Sequence, residues 1–124
     1  MPNREGESGE KVVVVDSDRQ RAAQVVKILR QGGFHAKICA TPARALALMR
    51  RERPRAVVLE VIMSGRSGFD IAAGMQADPQ LERIPIIFTS DIQSSAGGNH
   101  DYFPRPLSEQ RLIATLRKRI AVER

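Results

Sequence analysis

Glu60 closes the apolar run Ala56-Val57-Val58-Leu59, and Val12-Val13-Val14-Val15 runs straight into Asp16-Ser17-Asp18. Short β-branched runs with no polar alternation read as strands buried on both faces. Both end in acid at their carboxyl ends, the edge of an open parallel sheet where ligands and chemistry sit. The chemistry on offer is that of a carboxylate delivered to solvent by Glu60, beside an acidic pocket of Asp16, Ser17 and Asp18. A third run, Ile84-Pro85-Ile86-Ile87-Phe88, ends in the same way at Thr89-Ser90-Asp91.

The elements between these runs alternate in period. Asp18 can cap a helix in which Ala22, Val25, Val26 and Leu29 recur at helical spacing up to Gly32-Gly33. Phe34, Ala36 and Ile38 alternate with His35, Lys37 and Cys39, a half-buried strand. Thr41-Pro42 reads as a cap and first-turn proline for a helix carrying Ala45, Leu46 and Met49 on one face. Residues 62–68 read as a loop, with Ser67 and Asp70 placed like a capping box for a short helix that Asp78-Pro79 stops. Between Asp91 and His100 there is almost nothing apolar, so the pattern predicts a loop with at most one helical turn. Tyr102-Phe103-Pro104-Arg105-Pro106 fits an edge strand, and Ser108 caps a last helix with Leu112, Ile113, Leu116 and Ile120 as its apolar stripe. Strand and helix in this order predict a doubly wound, flavodoxin-like α/β fold with a five-stranded parallel sheet.

Composition narrows the function classes. The chain has 124 residues, enough for one domain, which is expected over 11–124 after a polar, disordered leader at 1–10. Cys39 is the lone cysteine, so there is no disulfide framework and no CxxC pair, consistent with a reducing cytoplasm. His35 and His100 lack metal-ligand spacing, and Met63 and Met75 read as packing. No apolar run approaches a membrane span. The net charge of +6 raises nucleic acid as a partner, but the arginines are scattered over every segment, so solvated surface charge is the favoured reading.

With these elements in order, the chain resembles the receiver domains of bacterial response regulators, of the type exemplified by the chemotaxis response regulator. The resemblance covers nearly the whole chain. It rests on Val-Val-Val-Asp16, on Val-Leu-Glu60-Val-Ile-Met-Ser-Gly65 with Gly68 after it, on 78–85, and on Asp101-Tyr102-Phe103-Pro104-Arg105-Pro106 followed by Ser108-Glu109. It implies a sheet ordered 2-1-3-4-5 and a switch in which an aspartate ending the third strand accepts a phosphoryl group from a histidine kinase. Two acids after the first strand would hold Mg²⁺, a hydroxyl and a lysine would bind the phosphoryl oxygens, and an aromatic on the fifth strand would report the state.

Carried over residue by residue, the resemblance breaks at the chemistry. Asp16 matches the first metal acid, but the second position is Ser17; Asp18 could substitute, against its use as a helix cap. Glu60 stands at the phosphoacceptor position, its carboxylate pushed out by roughly 1 Å, a displacement that can cost about a hundredfold in rate. Arg105 replaces the lysine, and its planar fork suits a bidentate pair with Glu60. Ser90 keeps the switch hydroxyl and Tyr102 the aromatic. Mg²⁺ is expected to bind weakly or not at all, through Asp16, Glu60 and the Ile62 carbonyl. Between Ser90 and Arg105 the chain is several residues short, so the family's fourth helix is expected to be missing or vestigial.

These departures favour a degenerate receiver, not an enzyme, with no catalytic residue. It would bind protein partners through an altered face made by the fourth helix, fifth strand and last helix, as monomer or dimer. Two other classes stay open: a working phosphoacceptor switch, and a module binding a ligand or nucleic acid through the old pocket or the basic surface.

Overall fold

A computed structural model describes residues 9–93 and 101–123. The elements are β1 (Lys11–Val15), α1 (Arg19–Gln31), β2 (His35–Cys39), a 3₁₀ turn (Pro42–Arg44), α2 (Ala45–Glu52), β3 (Ala56–Glu60), β4 (Ile62–Met63), β5 (Arg66–Ser67), α3 (Gly68–Gln76), β6 (Ile86–Ser90), β7 (Asp101–Pro104) and α4 (Glu109–Val122). Five strands form one parallel sheet in the order β2-β1-β3-β6-β7, the doubly wound order expected from the alternating pattern.

The valine run of β1 explains the layering. Alternate side chains leave a strand on opposite faces, so Val12 and Val14 pack with Ala22, Val25 and Leu29 of α1 and Leu112 and Leu116 of α4. Val13 and Val15 pack on the other face with Ala45 and Met49 of α2 and Ile71 and Met75 of α3. Each strand of the centre feeds both cores, which is why β1 and β3 carry no polar alternation. The chain turns to opposite sides after β1 and after β3, so a crevice opens between their carboxyl ends.

The helix ends show which sequence signals were used. Asp18 Oδ1 accepts from the backbone N–H groups of Gln20 and Arg21, and Ser108 Oγ from that of Arg111. These hydrogen bonds hold the Asp18 carboxyl below its usual range, the bond from Arg21 contributing most. Ser67 Oγ accepts from Phe69 N. Thr41 makes no side-chain cap, because Pro42 starts a 3₁₀ turn and the α-helix begins only at Ala45. The loop expected over 62–68 contains a small antiparallel hairpin, β4 with β5, turning at Gly65 with φ 77°. The segment expected to lack the fourth helix lies mostly at 94–100, outside the described residues, as does the start of the leader at 1–8.

At the opposite end of the sheet Glu52 accepts from Lys11 at 3.0 Å and Lys37 at 3.1 Å. Hydrogen bonds from Lys11 first and then Lys37 pull its pKa from 4.5 down to about 2. A depressed carboxylate contributes stability above its unfolded value and loses it as pH falls through the folded one. Glu52→Gln is therefore expected to flatten the fall in Tm between pH 4.5 and about 2, measured by circular dichroism against wild type. An equally steep fall in the variant would rule out this contribution.

Candidate functional site

The crevice holds two carboxylates, Asp16 from the end of β1 and Glu60 from the end of β3, each 2 % exposed. Burying an ionised carboxylate is costly unless it is paired and hydrogen-bonded. Both are. Arg105, just past β7, donates from Nη2 to Glu60 Oε1 at 2.6 Å, and the same nitrogen lies 3.9 Å from Asp16 Oδ2. Its Nη1 is 3.4 Å from Asp91 Oδ1. The pair expected between Glu60 and Arg105 thus forms, but through one nitrogen and one oxygen, because the second nitrogen turns to Asp91.

Two partners of these acids were not foreseen. Thr89 Oγ1 donates to Glu60 Oε1 at 2.9 Å. Glu60 and Thr89 are register partners on β3 and β6, so both side chains emerge on the same side of the sheet. Arg21 meets Asp16 with a two-point fork, Nε to Oδ2 at 3.0 Å and Nη2 to Oδ1 at 2.8 Å, while Nη2 also lies 3.3 Å from the Ile62 carbonyl. The hydrogen bonds to Asp16 hold the Arg21 guanidinium far above the ordinary arginine range in pKa. The sequence signal for Arg21 was its place in the first turn after the Asp18 cap, where a side chain leans back over the preceding strand end.

The remaining candidates surround this centre. Ser17 Oγ accepts from Ser64 N at 3.1 Å, tying the turn after β1 to the β4–β5 hairpin. Asp18 N donates to Asp16 Oδ1 at 2.9 Å while its side chain caps α1. Ser90 is fully buried, and its Oγ accepts from Ile92 N instead of facing Glu60. Tyr102 OH donates to the Ile92 carbonyl at 3.1 Å, and Gln93 Nε2 to the Arg105 carbonyl at 2.8 Å. The Arg105–Pro106 peptide is cis. Among the described residues no three His, Cys, Asp or Glu side chains are grouped so as to hold a metal ion.

Exposed large apolar side chains gather on the segments leaving this edge of the sheet. Ile62 is 55 % exposed on β4, Phe69 sits at the start of α3 with its ring edge-on to the buried Phe88, and Ile92 is exposed after β6.

A doubly wound sheet with paired acids at the β1/β3 crevice, a hydroxyl on β6 and a cation after β7 defines a class of signalling domain. The chain belongs to the response regulator receiver domain family, whose family model matches residues 12–117. Among curated proteins it is similar to the DNA-binding response regulator MtrA of Mycolicibacterium paratuberculosis, 26 % identical over 115 residues that cover 90 % of this chain and 51 % of MtrA. It is also similar to protein PilH of Pseudomonas aeruginosa, 23 % identical over 86 % of this chain and 93 % of PilH. The chain therefore spans about half the length of MtrA. Among solved structures the Francisella response regulator 1452 receiver domain superposes with a TM-score of 0.82 at 20 % identity, covering 94 % of this chain and all of that one. The receiver domain of sensor histidine kinase PA1611 from Pseudomonas aeruginosa, which has magnesium coordinated in its active-site cleft, gives 0.81 at 21 % identity over 92 % and 99 % of the two chains.

Proposed function

We propose that this receiver domain works as a phosphorylation-independent protein-interaction module in two-component signalling. The observation that carries the reading is the state of Glu60: its carboxylate is buried, accepts from Thr89 and is ion-paired to Arg105. A nucleophile must present a free oxygen in line with its target. Here Arg105 and Thr89 both hold Oε1, so the longer side chain is anchored by its own cation and hydroxyl instead of swinging freely to a target. Partner contact falls to the face made by β7, α4 and the segment after β6. Ile92 is exposed there, and the Tyr102 hydroxyl is held by its carbonyl.

The test is intact mass after incubation with Mg²⁺ and a small acyl-phosphate donor, for wild type and Glu60→Asp, with the fold of each checked by circular dichroism. Wild type is expected to keep its mass. A gain of one phosphoryl group on wild type would overturn the reading in favour of a phosphorylatable switch. Any modification of Glu60→Asp alone measures how much of the block lies in the extra methylene.

A further inference from the structure

We infer that Arg21 is a protein-borne replacement for the divalent cation of a receiver cleft, so that this chain carries its countercharge covalently instead of recruiting it. The inference deepens the proposed function and rests on it only for the identity of the cleft. The two groups that would be left for a metal once Ser17 has replaced the second acid, apart from Glu60, are the Asp16 carboxylate and the Ile62 carbonyl. A single nitrogen, Arg21 Nη2, bridges both, at 2.8 Å from Asp16 Oδ1 and 3.3 Å from Ile62 O. Magnesium needs oxygens at about 2.0–2.1 Å in near-octahedral array, and an ion placed there would overlap the guanidinium.

Much of the remaining donor set is engaged as well. Glu60 is held by Arg105 and Thr89, and Ser17 Oγ accepts from Ser64 N. The two guanidinium groups match the two buried carboxylates, with Asp18 and Asp91 adding negative charge only at the exposed rim, and a divalent cation between the buried acids would sit against like charge on both sides. The residues therefore do not fit Mg²⁺. Arg21 is held for this task by Asp18: the carboxylate that caps α1 accepts from the backbone N–H of Arg21 itself, at 3.1 Å. Asp18 is thus a positioning residue for the guanidinium, not a substitute ligand. The same guanidinium joins α1 to the start of β4 through the Ile62 carbonyl, so the cleft is closed on its own charge.

Mn²⁺ titration followed by water-proton relaxation tests this, with Arg21→Met and the double variant Arg21→Met with Asp16→Asn. Arg21→Met is expected to bind Mn²⁺ on the order of ten- to a hundredfold more tightly than wild type, because the variant leaves Asp16 a buried carboxylate without its partner. Adding Asp16→Asn should remove that gain. Equal affinity of wild type and Arg21→Met, or a gain that survives Asp16→Asn, would overturn the inference. If Arg21→Met does not fold, Arg21→Gln, which keeps a donor for Asp16, takes its place with the same expected direction. The readout is independent of phosphoryl transfer: wild type that gains mass from the acyl phosphate but shows no Mn²⁺ site would defeat the proposed function and leave this inference standing.

Discussion

Arg105→Met is expected to lower the unfolding free energy by about 2–4 kcal/mol, as removal of one member of a buried ion pair does. The side chain is 18 % exposed and Glu60 only 2 %, so the cost falls on the carboxylate left behind. Thr89 would still donate to Glu60, which keeps the figure below the upper limit for a wholly unpaired charge. Glu60→Gln should cost less, about 1 kcal/mol, since Arg105 retains Asp91 and the edge of Asp16 and the amide still accepts from Thr89. The double variant is expected to recover more than half of the Arg105→Met loss, because removing both partners leaves no stranded charge. Urea denaturation of the four proteins measures this directly. A loss under about 0.5 kcal/mol for Arg105→Met would place the pair among surface substitutions and undercut the claim that it satisfies the cleft.

Gly68→Ala should be comparably damaging, by about 3 kcal/mol, toward the upper end of what overpacking costs. A Cβ on Gly68 would overlap the Glu60 carbonyl oxygen and stand 3.1 Å from Val61 Cα. Neither neighbour is the yielding tip of a side chain, and Gly68 N also donates to Val61 O at 2.7 Å, so the backbone is fixed from both sides. Relief must displace the end of β3, and with it the carboxylate of Glu60. Gly74→Ala is the control: its Cβ would meet the Leu46 Cδ1 methyl at 2.8 Å, a group able to swing aside. The helix would gain about 0.5–1 kcal/mol from replacing glycine, so the net change should lie near zero. Thermal melts of the two variants separate the cases, and similar Tm values would show that the β3–α3 junction has slack.

The fold was legible because each β strand of the centre announced itself in composition. Val12 to Val15 and Ala56 to Leu59 admit no polar face, and such runs separated by helical periods have few arrangements open to them. The pairing of Glu60 with Arg105 was legible from the resemblance, since both positions were anchored by flanking motifs. Arg21 was not. Its charge looked like one more of many scattered arginines, and only the turn of α1 set by Asp18 brings it back over Asp16. Thr89 was hidden behind Ser90 because which of two adjacent hydroxyls faces the cleft depends on strand register, which Ile86 opposite Val57 fixes and the local sequence does not. The β4–β5 hairpin, two residues a side, was too short to show a period.

The anchors around Ile92 have a consequence for how this region can change over time. Tyr102 OH to Ile92 O, Gln93 Nε2 to Arg105 O and Arg105 N to Ser90 O staple the two ends of one excursion of the chain side by side. Ile92 enters this set through its backbone alone, as the carbonyl acceptor for Tyr102 and the N–H donor to Ser90 Oγ. The exposed side chain at Ile92 can therefore be exchanged while the backbone anchors keep Arg105 over Glu60, so the outward contact can change without touching the charges beneath it.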